Sequence, residues 1–267
     1  MSNPNYFRFG SFAVMFAVMA SWEMLASRRL IVASKPLRWS GNLGVLAIDV
    51  ALVRLIFAVL PLEMARRVQG TGLGILNTVS PPYWLKVVIG LMLLDLVIYL
   101  QHLMFHAVPI FWRLHMMHHA DLDLDFTTGV RFHPLEIVLS MAIKLAAVVL
   151  IAPPPLAVLL FEILLNATSM FNHGNVRLPP AIDRFLRLLV VTPDMHRVHH
   201  SVLPRESNSN FGFNFPWWDR IAGTYRDQPS AGHEGMTIGL APFQNAKRQT
   251  LLWMLLLPFR GRYEEGA

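Results

Sequence analysis

The stretch Asp95-Leu-Val-Ile-Tyr99-Leu-Gln-His102-Leu-Met-Phe-His106-Ala-Val-Pro109-Ile-Phe-Trp112-Arg-Leu-His115-Met-Met-His118-His119 decides how this chain is read. It holds five histidines, as H-x-x-x-H (His102, His106) and H-x-x-H-H (His115, His118, His119), and a second H-x-x-H-H recurs downstream as His196, His199 and His200. Residues three and four apart share one face of a helix, so each cluster projects its imidazoles in one direction if its segment is helical. Neutral imidazole is the commonest metal ligand and suits iron, copper, zinc and nickel. A transition metal takes roughly four to six ligands. The eight histidines of the three clusters are too many for one ion and fit two.

Working outward, Asp95, Tyr99, His102 and His106 fall at i, i+4, i+7 and i+11, an inward stripe on a long helix expected over Tyr83 to Val108 and stopped by Pro109. A carboxylate and a phenol behind a metal-binding end suit the task of fixing imidazole tautomers, with plain interior packing the equal alternative for Tyr99. The composition is that of a membrane protein: 54% hydrophobic, 15% charged, mean hydropathy +0.43. Absence of cysteine excludes disulfides, thiolate ligands and Fe–S clusters. The formal charge of +6 fits cytoplasmic loops and anionic headgroups, and no nucleic-acid signature accompanies it.

The expected fold is all-α and integral to the membrane. It has about four transmembrane helices, including a tight hairpin, and a cytoplasmic histidine-rich helical cap. Three regions are expected: 1–82, N-terminal membrane helices and a loop; 83–228, the catalytic domain; and 229–267, a C-terminal interfacial tail. A first helix from about Gly10 to Ser27 is followed by Arg28, Arg29, Lys35 and Arg38, which places its carboxy end in the cytoplasm. A second, from about Asn42 to Leu60, carries Asp49 and Arg54, five apart and poorly placed to pair; residues 61–83 read as a Gly- and Pro-rich loop. Asp121, Asp123 and Asp125 alternate like the start of a calcium loop but lack its Gly and Glu. The apolar runs 135–152 and 156–172, split by Pro153-Pro154-Pro155, are just long enough to cross a hydrocarbon core of roughly 30 Å. A hairpin there returns Asn172-His173-Gly174-Asn175 to the histidine side, making His173 a ninth candidate ligand with Asn166, Asn172 and Asn175 as polar support. His133 is either a further ligand or, the favoured reading, a supporting residue with Glu136 beside it. His233 reads as an ordinary surface histidine, and Gln249 to Phe259, followed by Arg260 and Arg262, as an interfacial helix.

Nitrogen-rich ligation of two metals beside apolar helices suits a redox pair that activates O₂ next to a lipid. The clusters resemble the fatty acid hydroxylase/sterol desaturase superfamily. Trp112 before His115, Arg131 with His133-Pro134, Asn172-His173-Gly174-Asn175, Thr192-Pro193 before His196, Trp218-Asp219 and Gly223-Thr224 carry the same resemblance, over roughly Leu91 to Tyr225. It implies a non-haem di-iron, O₂-dependent membrane monooxygenase or desaturase. The implied ligands are His102, His106, His115, His118, His119, His173, His196, His199 and His200. Some relatives carry a further histidine four residues before His173; Ser169 stands there in this chain. The resemblance also implies two iron ions, a lipid substrate drawn from the bilayer, and an external donor such as a ferredoxin or cytochrome b5-like protein with its reductase. The competing reading is a metal-transporting or metal-storing membrane protein, which would place its ligands near the bilayer midplane. A zinc hydrolase would need an H-E-x-x-H motif that the sequence lacks.

Overall fold

Proline placement explains most of the helix boundaries. A proline at the first turn loses no hydrogen bond and presets the backbone angle, while the residue before it is pushed out of helical geometry. In the computed structural model, which describes residues 4–246 and 249–260, this rule sets element after element. The chain opens with α1 (Pro4–Leu25), α2 (Lys35–Ile56), α3 (Pro61–Val68) and α4 (Ile75–Thr78). Then come the long α5 (Tyr83–Ala107), α6 (Pro109–His119), α7 (Pro134–Ile151) and α8 (Pro155–Asn172). Short helices finish it: α9 (Pro180–Leu186), α10 (Pro193–His199), α11 (Pro204–Ser207), α12 (Trp217–Ala222), α13 (Gly232–Gly235) and α14 (Leu251–Leu256). Among the described residues there are isolated β-bridges but no strand.

Four segments are long and apolar enough to cross a membrane: Lys35–Val68, which takes in α2 and α3, then α5, α7 and α8. The helix expected near Gly10 to Ser27 exists as α1 but is not one of these four. Residues 61–83 are not the loop expected from their Gly and Pro content. Pro61 starts α3 instead of breaking it, and the apolar side of α3 (Leu62, Ala65) packs into the core made by α5, α7 and α8 around Leu94, Val148 and Phe161. The hairpin forms as expected: Ala152 adopts the left-handed conformation that ends α7, and the prolines turn the chain into α8.

The cap is fastened to the helices by a buried ionic network. Arg38 on α2 makes a fork with Asp121 (2.7 and 2.8 Å) and reaches Asp125 and the carbonyl of Asp123 (2.6 Å). Arg131 lies 3.8 Å from Asp121 and donates to the Met117 carbonyl and to Gln249. Asp123 accepts the amides of Val32 and Ala33. The alternating aspartates thus bind arginine and backbone amides rather than forming a calcium loop, in keeping with the missing Gly and Glu. The C-terminal segment differs from a helix lying freely on the interface. Trp253, Met254 and Leu257 are buried against Val45, Trp112 and Met116, while Leu252 and Phe259 stay exposed. Arg262 lies outside the described residues.

Candidate metal centre

The sharp corner at Val108-Pro109 folds α6 back against the end of α5, which brings the first two histidine clusters together. The end of α8 adds His173 and α10 adds the third cluster, all nine imidazoles being buried. They sort into two groups. His102, His106, His115, His119 and His199 form one, His118, His173, His196 and His200 the other, and within each group the ligand atoms lie within 4.8 Å of one another.

The division departs from the single direction that helical spacing leads one to expect, since residues three and four apart share a face. In each H-x-x-H-H the first and last histidines, four apart, join one group and the middle one joins the other. His115 and His119 join the five-membered group while His118 crosses to the other. In the third cluster the roles reverse: His196 and His200 join the four-membered group and His199 crosses over. Ser169 occupies the position four before His173 where the smaller group could have gained a fifth imidazole. Its hydroxyl instead donates to the Gly129 carbonyl at 2.5 Å.

Six of the rings are oriented from behind. The Nδ1–H of His102 donates to the Phe211 carbonyl (2.8 Å), that of His118 to Arg131 (3.1 Å), that of His173 to Ser169 (2.7 Å) and that of His199 to Ser209 (2.7 Å). His115 donates to Glu136 Oε1 at 2.8 Å, and His106 pairs with Asn208 Oδ1 at 3.3 Å. Fixing Nδ1 as donor leaves Nε2 as a lone-pair acceptor. The Nε2 atoms of His102, His115 and His199 are buried with no hydrogen-bond partner. The Nε2 atoms of His118 and His173, both acceptors by this assignment, face each other at 3.1 Å. Lone pairs that close repel unless a cation sits among them. Burial pushes the imidazoles of His115 and His173 down to about 3 and holds His118, His119, His196, His199 and His200 well below their ordinary range, so all present neutral nitrogen.

Asp95 and Tyr99 face inward with the histidines but hydrogen-bond to none of them. Asp95 accepts the indole N–H of Trp218 at 2.8 Å. Tyr99 pairs with the Thr224 hydroxyl at 2.9 Å, Thr224 donates to Asp219, and Asp219 accepts the amides of Phe211 and Gly212. Both residues therefore act on the loop whose Phe211 carbonyl aims His102. Glu136 serves His115, whereas His133 lies outside both groups: it accepts the Leu135 amide and meets the Leu255 carbonyl at 3.2 Å. His233 is not a surface histidine; it is buried 3.7 Å from Asp194, under the arginine-rich segment 28–29. Asp49 is buried and Arg54 exposed, and the two do not pair. Of the asparagines, Asn172 binds the Phe213 carbonyl and Asn175 binds Arg29, but Asn166 only caps a carbonyl of its own helix. The carbonyls that aim the rings carry no side-chain signature and were invisible in the sequence.

The profile of the fatty acid hydroxylase family matches residues 87–224, more than half of the chain and the segment that supplies every one of these histidines. The chain belongs to the fatty acid hydroxylase family. It is 29% identical over 148 residues to the ornithine lipid hydroxylase OlsE of Rhizobium tropici, covering 55% of this chain and 44% of that protein. It is 28% identical to the alkylglycerol monooxygenase of Homo sapiens over 64% of this chain and 36% of the relative. With the cholesterol 25-hydroxylase of Rattus norvegicus it shares 28% identity, over 54% of this chain and 47% of the other. The chain therefore spans less than half the length of the curated relatives it matches. No solved structure matches it.

Proposed function

We propose that this fatty acid hydroxylase family member is an O₂-dependent, non-haem di-iron membrane monooxygenase that hydroxylates an unactivated C–H bond of a lipid. The observation that carries the reading is the pair of buried imidazole groups with inward, unpartnered nitrogens. That donor set fits two iron ions: His102, His106, His115, His119 and His199 would hold one, and His118, His173, His196 and His200 the other. Neutral imidazole in place of carboxylate leaves such a pair more positive and its oxidised form more electrophilic. When bound, the iron pair supplies the two-electron activation of O₂, with electrons from an external donor and water as the second product. Hydroxylation is favoured over desaturation because the matched relatives are named as hydroxylases and monooxygenases.

The chain's own residues supply the rest. Glu136 and the carbonyls of Phe211, Arg131, Ser169 and Ser209 hold the ring orientations. Asp95 and Tyr99 are positioning residues, acting through Trp218 and Thr224 on the 210–219 loop. Burial of the nine histidines keeps bulk water out. Residues 83–228 carry the catalytic domain. The arginines at 28, 29, 184, 205 and 226 support a cytoplasmic side for the cap, where a ferredoxin or cytochrome b5-like donor would deliver electrons. Transport is disfavoured, since rings locked by hydrogen bonds from behind offer no route for an ion to pass through.

Purified protein should contain two irons per chain and couple O₂ uptake to a reduced donor and a lipid. Bound zinc with no donor-dependent O₂ uptake would sink the reading.

A further inference from the structure

We infer that Phe213 forms the aperture between the membrane-buried apolar core and the paired imidazole groups, and that its size selects which carbon of an alkyl chain reaches them. The inference rests on the oxygenase reading for its consequence, but on separate contacts for its geometry. Phe213 is half-buried. Its ring centroid lies 6.4 Å from that of His102 of the five-membered group, and 6.4 and 6.5 Å from those of His173 and His196 of the other group. It also packs on the core cluster of Leu94, Ile98 and Phe161, at the α5–α8 interface of two membrane-spanning candidates. An alkyl chain coming from the hydrocarbon region along α5 and α8 would meet this ring before any imidazole.

The backbone behind the ring is held independently of it. Asn172 donates to the Phe213 carbonyl at 3.0 Å, Asp219 takes the two preceding amides, and Val191 donates to the Asn214 carbonyl at 3.0 Å. Asn210, in the left-handed conformation, ties the loop to Met195 and Arg226. A change at Phe213 therefore alters the opening rather than the loop, and no ring-orienting hydrogen bond comes from its side chain. The rival opening is at Phe132, also half-buried, which stacks on His118 at 4.5 Å and 11°. Phe132 has no part in the apolar core formed by α5, α7 and α8.

The test is photolabelling of purified protein, as isolated, in phosphatidylcholine nanodiscs doped with phosphatidylcholine bearing a diazirine along one acyl chain. Metal content and O₂ uptake are measured on the same samples. Labels are expected on peptides spanning Leu94–Ile98 and Phe161–Leu165. The peptide containing His196 is expected to label weakly in the native protein and more strongly in Phe213→Ala and in the milder Phe213→Leu. In Phe213→Trp, labelling next to the histidines should fall about tenfold, the low end of what a methylene's worth of space discriminates in an apolar site. Phe132→Leu should leave the pattern unchanged. Labels concentrated at Phe132–Leu135, a pattern indifferent to Phe213, or no labelling between α5 and α8 would each overturn the aperture. Labelling as expected in protein lacking iron and O₂ uptake would sink the oxygenase reading and leave the aperture standing.

Discussion

At the scale of single residues, the nine imidazoles are not equivalent, and the division between groups says how each should fail. His118→Ala and His199→Ala should both abolish activity while the protein still inserts in the membrane. His118→Ala should lose metal from the four-membered group first and His199→Ala from the five-membered one, read as metal per chain after dialysis. Retained turnover in either variant would remove that residue from the ligand set. Glu136→Gln keeps an acceptor for the His115 Nδ1–H but removes its charge. Loss of a supporting partner of this kind typically costs about 10–100-fold in metal affinity or activity, and rescue by excess iron would separate the two. Asp95→Asn should weaken activity without removing metal, because Asp95 reaches the histidines only through Trp218 and the 210–219 loop. An unchanged rate would show that Trp218 holds its place without it.

At the scale of elements, the cap depends on two close approaches. Arg38 sits wholly buried between Asp121 and Asp125 and joins α2 to the loop after α6. Breaking a buried ion pair by removing one partner costs about 3–5 kcal/mol, because the other charge is left uncompensated. Arg38→Met should therefore lower the detergent melting temperature more than any single histidine substitution does in the metal-free protein. The second approach is at Gly129, where a Cβ would lie 2.4 Å from the Ser169 carbonyl. That carbonyl is the acceptor that orients His173. Gly129→Ala should displace the end of α8 and lose metal from the four-membered group while the five-membered group keeps its ion.

At the scale of the whole molecule, burying nine neutral imidazoles makes the metal-free fold acid-sensitive. His115 and His173 fall to about 3 in the fold, against an ordinary 6.5 when exposed. The unfolded chain takes up protons that the folded chain refuses, so stability is full above about pH 6.5 and declines as pH falls toward 3. Bound metal competes with those protons and should move the onset lower, which melting curves with and without iron would read. The aspartate lock does not explain a loss in that window: burial alone would raise Asp121, but Arg38 and Arg131 hold it down to about 2. The sequence by itself determined the four long apolar segments, the hairpin and the histidine clusters, because apolar runs and i, i+4 histidine spacing are local patterns, though it also read α1 as a spanning helix, which is not one of the four. It missed α3, whose apolar side is satisfied only by the distant helices it packs on, and it misplaced His233, whose burial depends on segment 28–29 lying over it. Only the tertiary structure decided which histidine joins which group, which backbone carbonyl aims each ring, and that the aspartates after α6 bind Arg38. Those pairings join residues far apart in the chain, many through main-chain atoms that every residue shares, and no local pattern records them.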